Sequence, residues 1–333
     1  MLYVTTRSDR DVFTAQRVLR ENRGPDGGFY VPFRMSGFSK EEREELAAMP
    51  FPQRLAEVLN RLFQTKLTAW DVEFVIGRWP VQLKALDSRI WVGECWHNPE
   101  GAYARLERNL GTLLTGTEEP LGSWVRIAVG ISLFGSLSLE TQKRGVAHID
   151  LAMSSGSLIL PVSAWYARAW GFPIGNIILC CREQKNLWDL LSHGQMRTDT
   201  LGLSPESIPV PPELERLLWA CGGREEVERF LTACRQGSFY CPLDGTLRKL
   251  RQGLYASVVS SGRVRETIPA VYRTHRYPVS QNTALAYAGL LDYRARTGET
   301  GIAMVLAEDS PALEAETIGP MLGMTAKTLK ENL

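Results

Sequence analysis

The sequence predicts an α/β protein, a doubly wound and mostly parallel sheet preceded by a small α+β module. Three observations carry this. Residues 147–153, 177–181 and 302–307 are short, nearly continuous apolar runs, the pattern of strands covered on both faces. Stretches with apolar residues at helical spacing separate such runs, and this alternation builds parallel sheets with helices packed on them. A chain of 333 residues is long enough for two units. The N-terminal module is placed at residues 1–87 and the larger α/β domain at 88–333.

Composition removes several function classes. The formal net charge of +1 provides no basic excess for nucleic acid or an acidic membrane. Residues 1–7 carry no apolar core of a signal peptide, so a cytoplasmic location is expected. The most apolar run, residues 125–139, is interrupted by Arg126, Gly130, Ser132, Gly135, Ser136 and Ser138. It predicts a buried helix and no membrane span. Six cysteines (Cys95, Cys180, Cys181, Cys221, Cys234, Cys241) form no CxxC pair and no zinc-type spacing. Free thiols and no bound metal are expected.

In chain order, residues 2–6 read as a strand and 11–23 as a helix, with Phe13, Val18 and Leu19 as a partial apolar stripe. Pro25-Asp26-Gly27-Gly28 is a turn before a short aromatic strand. Ser39 caps a helix whose first turn holds Glu41 and Glu42, where carboxylates suit the helix dipole. A second helix over 52–63 buries Leu55, Val58, Leu59 and Leu62. Strand character returns over 82–95, and 102–114 reads as a helix through Leu106, Leu110 and Leu113. A polar bridge follows at 115–122. Beyond strand 147–153 come a Ser154-Ser155-Gly156-Ser157 turn, a helix to Trp170, strand 177–181 and a helix from Asn186. A proline-rich loop over 204–212 leads to a helix at 213–218. Near the C-terminus, Ser280 leads a helix containing Tyr287, Leu290 and Leu291, and 302–307 closes as a strand.

Several of these segments carry a family pattern. Gly93-Glu94-Cys95-Trp96-His97-Asn98-Pro99-Glu100-Gly101-Ala102-Tyr103-Ala104-Arg105 resembles the active-site segment of threonine synthases, E-L-(F/W)-H-G-P-T-x-A-(F/Y)-K-D. The N-terminal order, Tyr3-Val4-Thr5-Thr6-Arg7 and later Pro25-Asp26-Gly27-Gly28-Phe29-Tyr30-Val31-Pro32, resembles the N-terminal module of the same family. Glu213-Leu214-Glu215-Arg216-Leu217-Leu218 resembles its F-E-R-L-L helix. The succession is collinear over most of the chain. The resemblance implies the large-domain fold of fold-type II pyridoxal-phosphate enzymes.

It also marks what is missing. Ala104 stands where the family carries the lysine that forms a Schiff base with pyridoxal phosphate, and no lysine lies between Lys84 and Lys143. An alanine methyl cannot do that chemistry, and arginine offers no usable amine. The family's T-S-G-D-T-G loop is absent. The short bridge at 115–122 occupies the place of its whole small domain, which implies excision of that domain. Of the V-P-(S/T)-G-N-F-G-(D/N) loop, only Ser155 and Gly156 match; Ser157, Leu158 and Ile159 replace the rest. Asn282 stands for a histidine of the E-P-H-(S/T)-A segment. Residues 308–313 replace T-A-H-P-A-K-F without its histidine or lysine.

These losses imply a threonine synthase-like protein without catalysis, kept for a binding, regulatory or structural role, with no cofactor expected. The residues that resemble vestigial cofactor contacts are His97, Tyr103, Ser155, Gly156, Ser157 and Asn282. Its partner would be a second copy, an active enzyme of the family or an unrelated protein. The alternative is an active pyridoxal-phosphate lyase of threonine biosynthesis, with the Schiff base moved to Lys84 or Lys143. A third reading is a different activity built on His97, Glu94, Asp150 or His148. An exposed apolar patch where the small domain would dock favours an interaction role; Trp124, Trp165 and Trp170 lie near that region.

Overall fold

The computed structural model describes residues 1–34, 36–77, 81–97, 101–117, 123–156, 158–182, 186–198 and 212–333, apart from the side chain of Ser123. The N-terminal module begins with β1 (Leu2–Thr5), β2 (Phe13–Thr14), α1 (Ala15–Arg20) and β3 (Tyr30–Pro32). The three strands form an antiparallel sheet in the order β2-β1-β3, with Tyr3 opposite Phe13 and Val4 opposite Val31. The helix expected over 11–23 therefore shrinks to six residues. Phe13 is drawn into the ladder and its ring meets Tyr30 edge-on, centroids 5.2 Å apart. That packing outweighs a weak helical stripe. Gly27 takes φ +73° in the Pro-Asp-Gly-Gly turn, the backbone state glycine tolerates best. Asp26 holds the turn by accepting from the Gly28 N–H at 3.0 Å.

Three helices complete the module: α2 (Lys40–Ala48), α3 (Phe51–Phe63) and α4 (Ala69–Ile76). Ser39 and Glu42 close a reciprocal capping box on α2, as the sequence pattern implies. α3 buries Leu55, Val58, Leu59 and Leu62, and these merge into one core with the larger domain.

The large sheet starts with the hairpin β4 (Gln82–Ala85) and β5 (Ile90–Glu94). Next come α5 (Tyr103–Thr115), α6 (Ser123–Lys143), β6 (Ile149–Ser154), α7 (Ile159–Ala169) and β7 (Ile174–Cys181). They are followed by α8 (Asn186–His193), β8 (Met196–Arg197), α9 (Pro212–Gln236, kinked at Gly223), β9 (Phe239–Tyr240) and α10 (Asp244–Arg251). The chain ends through β10 (Leu254–Val258), α11 (Ser261–His275), α12 (Gln281–Thr297), β11 (Ala303–Ala307), a 3-10 turn at Pro311–Glu314, α13 (Ala315–Met321) and α14 (Ala326–Glu331).

Strand order is β10-β7-β6-β11-β5-β4, parallel throughout except for β4. The sheet is the mostly parallel, helix-covered one expected. Ile90, Val92, Ala303 and Val305 face a core shared with α11 and α12, while Met304 and Leu306 face the core that contains α5 and α6. α6 is buried over most of its length, with Ile127, Val129, Ile131 and Leu133 inaccessible. Among the described residues no helix is long and apolar enough to cross a membrane. Trp124 and Trp170 lie in the core, with Trp165 packed against it. The exposed aromatic pair is elsewhere, Trp70 and Phe74 on α4, stacked with centroids 5.3 Å apart.

Candidate functional site

In open parallel α/β sheets ligands bind outside the carboxyl ends of the strands. Here that edge consists of Glu94 on β5, Ser154 on β6, Cys181 on β7, Val258 on β10 and Ala307 on β11. The alternation of side chains along β5 and β11 divides its polar groups between the two sheet faces.

On the α11–α12 face lies Glu94, a fully buried carboxylate. It accepts from the Tyr277 hydroxyl at 2.7 Å and meets His97 Nε2 at 2.6 Å. Lys84, projecting from the antiparallel edge strand, reaches Glu94 Oε1 at 3.3 Å, and its ammonium sits 5.5 Å from the centre of the Tyr277 ring. The His97 imidazole stacks on Trp96 with centroids 4.2 Å apart. Burial, and then the adjacent Glu94 charge, push the Tyr277 phenol far up, so it remains a donor. Three donors thus hold one carboxylate, which is how a buried charge is made tolerable.

On the α5–α6 face the first turn of α5 is pinned to the chain leaving β11. Tyr103 N–H donates to the Glu308 carbonyl at 2.8 Å, Ser310 N–H donates to the Gly101 carbonyl at 2.8 Å, and Ala102 bridges Asp309. From the other sheet face, Asn282, in the first turn of α12, donates to Asp309 Oδ2 at 3.3 Å. Glu107 is buried and pairs with Arg126, whose Nη2 lies 3.2 Å from its Oε2. Burial, then Asp309 and Glu107, push the Glu308 carboxyl up to about 8. Burial also raises the Tyr103 phenol well above its ordinary value and drives the Cys95 thiol up, keeping it neutral.

The residues singled out from sequence therefore fall into separate groups. Tyr103 and Asn282 come together through residues 308–310. His97 belongs to the Glu94 cluster on the opposite face. Ser155 and Gly156 close the end of β6 locally: the Ser155 N–H donates to the Cys180 carbonyl at 3.0 Å and the Gly156 N–H to Ser154 Oγ at 3.2 Å. Ser157 lies outside the described residues. Ala104 is exposed in the first turn of α5. Lys143 ends α6, next to the amino ends of the strands and so at the far end of the sheet from this edge. Asp150, offered as an alternative catalytic group, stands at the start of β6 at that same far end, where it accepts from Asn176 N–H at 2.6 Å. Tyr277 carried no sequence signal, because its partner Glu94 is 183 residues away.

Comparison with known proteins agrees with this architecture. Residues 2–78 match the family profile of the threonine synthase N terminus. The chain superposes on the pyridoxal-phosphate-bound threonine synthase of Brucella melitensis with a TM-score of 0.80, at 17% identity over 97% of this chain and 92% of that one. The yeast threonine synthase gives 0.79 at 12% identity, covering 99% and 94%. The Escherichia coli enzyme gives 0.73 at 13%, covering 98% and 92%. The fold is that of threonine synthases, which belong to the fold-type II class. No curated protein sequence matches the chain.

Proposed function

We propose that this chain is a non-catalytic threonine synthase-like protein with a binding or regulatory role. One observation carries the reading. Ala104, exposed in the first turn of α5, stands where the family pattern carries its Schiff-base lysine. Both lysines that could replace it are badly placed. The Lys84 ammonium is engaged by Glu94 and Tyr277 on the other face, and Lys143 is at the wrong end of the sheet. Pyridoxal phosphate is also an anion, and the chain leaving β11 beside α5 sets the Asp309 carboxylate at that edge. The residues present do not fit a covalently held cofactor, and without a positioned amine the cofactor's electron-sink chemistry has no anchor. The exposed Trp70–Phe74 pair on α4, a helix packed against α5, suits a role in contacting a second copy or an active enzyme of the same fold.

The test is an absorbance scan with added pyridoxal phosphate, before and after borohydride reduction. The expected outcome is no aldimine band and no covalent adduct. A trapped adduct mapped to Lys84 or Lys143 would overturn the reading and establish the lyase alternative.

A further inference from the structure

We infer that the free edge of β4 takes up an extended segment of another protein as an added strand of the six-stranded sheet, with an apolar residue of that segment opposite Leu83 and an acidic one opposite Ala85. β4 is the last strand of its sheet and pairs with β5 alone among the described residues. The Leu86 N–H donates to the Ile90 carbonyl at 2.9 Å, which makes these two a hydrogen-bonded pair. By the alternation of an antiparallel ladder, Lys84 with Val92 and Gln82 with Glu94 share the remaining bonds to β5. The N–H and C=O groups of Leu83 and Ala85 therefore point away from the sheet, and among the described residues no strand pairs with them. Edge strands are often guarded by a lysine. Here Lys84 is turned to the α11–α12 face, where it lies 3.3 Å from Glu94 Oε1.

The surface beside that edge determines what the segment carries. On the α6 face, a cavity of about 340 Å³ is lined by Phe51, Val81, Leu83 and Leu137, together with Glu140 and Arg144. A residue hydrogen-bonded opposite Leu83 puts its side chain on that same face, over the cavity. Glu140 is already engaged: Arg54 Nη2 lies 2.7 Å from its Oε2, whereas Arg144 Nη2 is 4.0 Å from its Oε1. Arg144, its side chain 49% exposed, lies 5.9 Å from the centre of the Trp91 ring, and Trp91 is the cross-strand neighbour of Ala85. Two guanidiniums thus share one carboxylate, and a second carboxylate opposite Ala85 completes the balance. A second copy of β4 does not supply it. Residues 81–85 read Val-Gln-Leu-Lys-Ala, without an acid, and two-fold pairing centred on Lys84 would set two lysines side by side. The occupant is therefore a strand of a different protein. Antiparallel pairing is the more stable, so the acidic residue precedes the apolar one by two positions along the segment. This surface goes beyond the non-catalytic reading and does not depend on it; a trapped pyridoxal adduct would leave it standing.

The experiment is a fluorescence-anisotropy titration of the full chain into a labelled hexapeptide, Thr-Glu-Thr-Leu-Thr-Gln. Two control peptides carry lysine in place of the glutamate, or an N-methyl group on the leucine, whose N–H would donate to the Leu83 carbonyl. The parent peptide should saturate below about 1 mM, and each control should bind about tenfold more weakly. Ala85→Pro removes an outward N–H and no bond to β5, which an edge strand tolerates, and should weaken the parent about tenfold. If that variant does not fold, the N-methyl peptide carries the test on the unaltered chain. Arg144→Gln should reduce the preference for the glutamate peptide over the lysine peptide to about twofold or less. No saturable binding, equal binding of the parent and N-methyl peptides, or a charge preference untouched by Arg144→Gln would each overturn the assignment. A dimer in sedimentation that Ala85→Pro abolishes would give the edge to a second copy and overturn the foreign strand.

Discussion

Glu308→Gln is expected to stabilise the protein by about 4 kcal/mol more at pH 9 than at pH 5, measured by urea unfolding in buffers free of primary amines. In the folded chain, burial and the neighbouring Asp309 and Glu107 raise this carboxyl from 4.5 to about 8. The folded state therefore binds more protons than the unfolded one between those values. Where that holds, stability falls as pH rises, and the loss is complete above the folded value. At 1.36 kcal/mol per pH unit, the cost is about 5 kcal/mol at pH 9 and under about 1 kcal/mol at pH 5. Glutamine has no charge to desolvate, so the variant escapes the cost. Buried tyrosines and thiols also titrate at high pH, but they do so in both proteins and cancel in the difference. Parallel stability curves for the two proteins would show that Glu308 is solvated or paired in the folded chain.

The scaffold was legible in the sequence where one element's own residues decide it. The apolar runs at 147–153, 177–181 and 302–307 read as strands covered on both faces and form them over Ile149–Ser154, Ile174–Cys181 and Ala303–Ala307, and the Ser39 and Ser280 caps announce their helices. What escaped was structure decided by partners far along the chain. β2 is two residues long and exists because Phe13 pairs with Tyr3. β10, Leu-Tyr-Ala-Ser-Val, is too mixed to read alone and is fixed by its ladder with β7. The site divides in the same way. That Ala104 offers no amine can be read by laying the chain on the family pattern. That burial and the negative charges of Asp309 and Glu107 push the Glu308 carboxyl up, or that Lys84 is taken up by Glu94, depends on which sheet face each strand residue meets.

Glu215→Ala is expected to destabilise the protein by about 3 kcal/mol, because Glu215 joins the N-terminal module to the larger domain. Its carboxylate is fully buried at the start of α9. It accepts from Arg7 Nε at 3.1 Å and Nη2 at 3.0 Å, and also from the Thr6 hydroxyl. This forked geometry is the strong form of an arginine–carboxylate pair. The next residue, Arg216, is buried too, donates to the Tyr30 carbonyl at 2.9 Å and lies over the Phe29 ring at 4.9 Å. Two consecutive residues of the Glu-Arg-Leu-Leu helix thus hold the two signature segments of the N-terminal module, Thr6-Arg7 and Phe29-Tyr30. Removing Glu215 leaves the Thr6 hydroxyl buried without its acceptor. The Arg7 side chain, 27% exposed, turns partly to water, which keeps the loss below that of a sealed ion pair. Lys327 and Glu331, 3.8 Å apart with side chains 86% and 63% exposed, make the control. Glu331→Ala should change urea stability by less than about 0.5 kcal/mol. If Glu215→Ala were equally silent, the motif match over residues 2–78 would need another physical basis. A large loss ties that match to a contact that holds the fold.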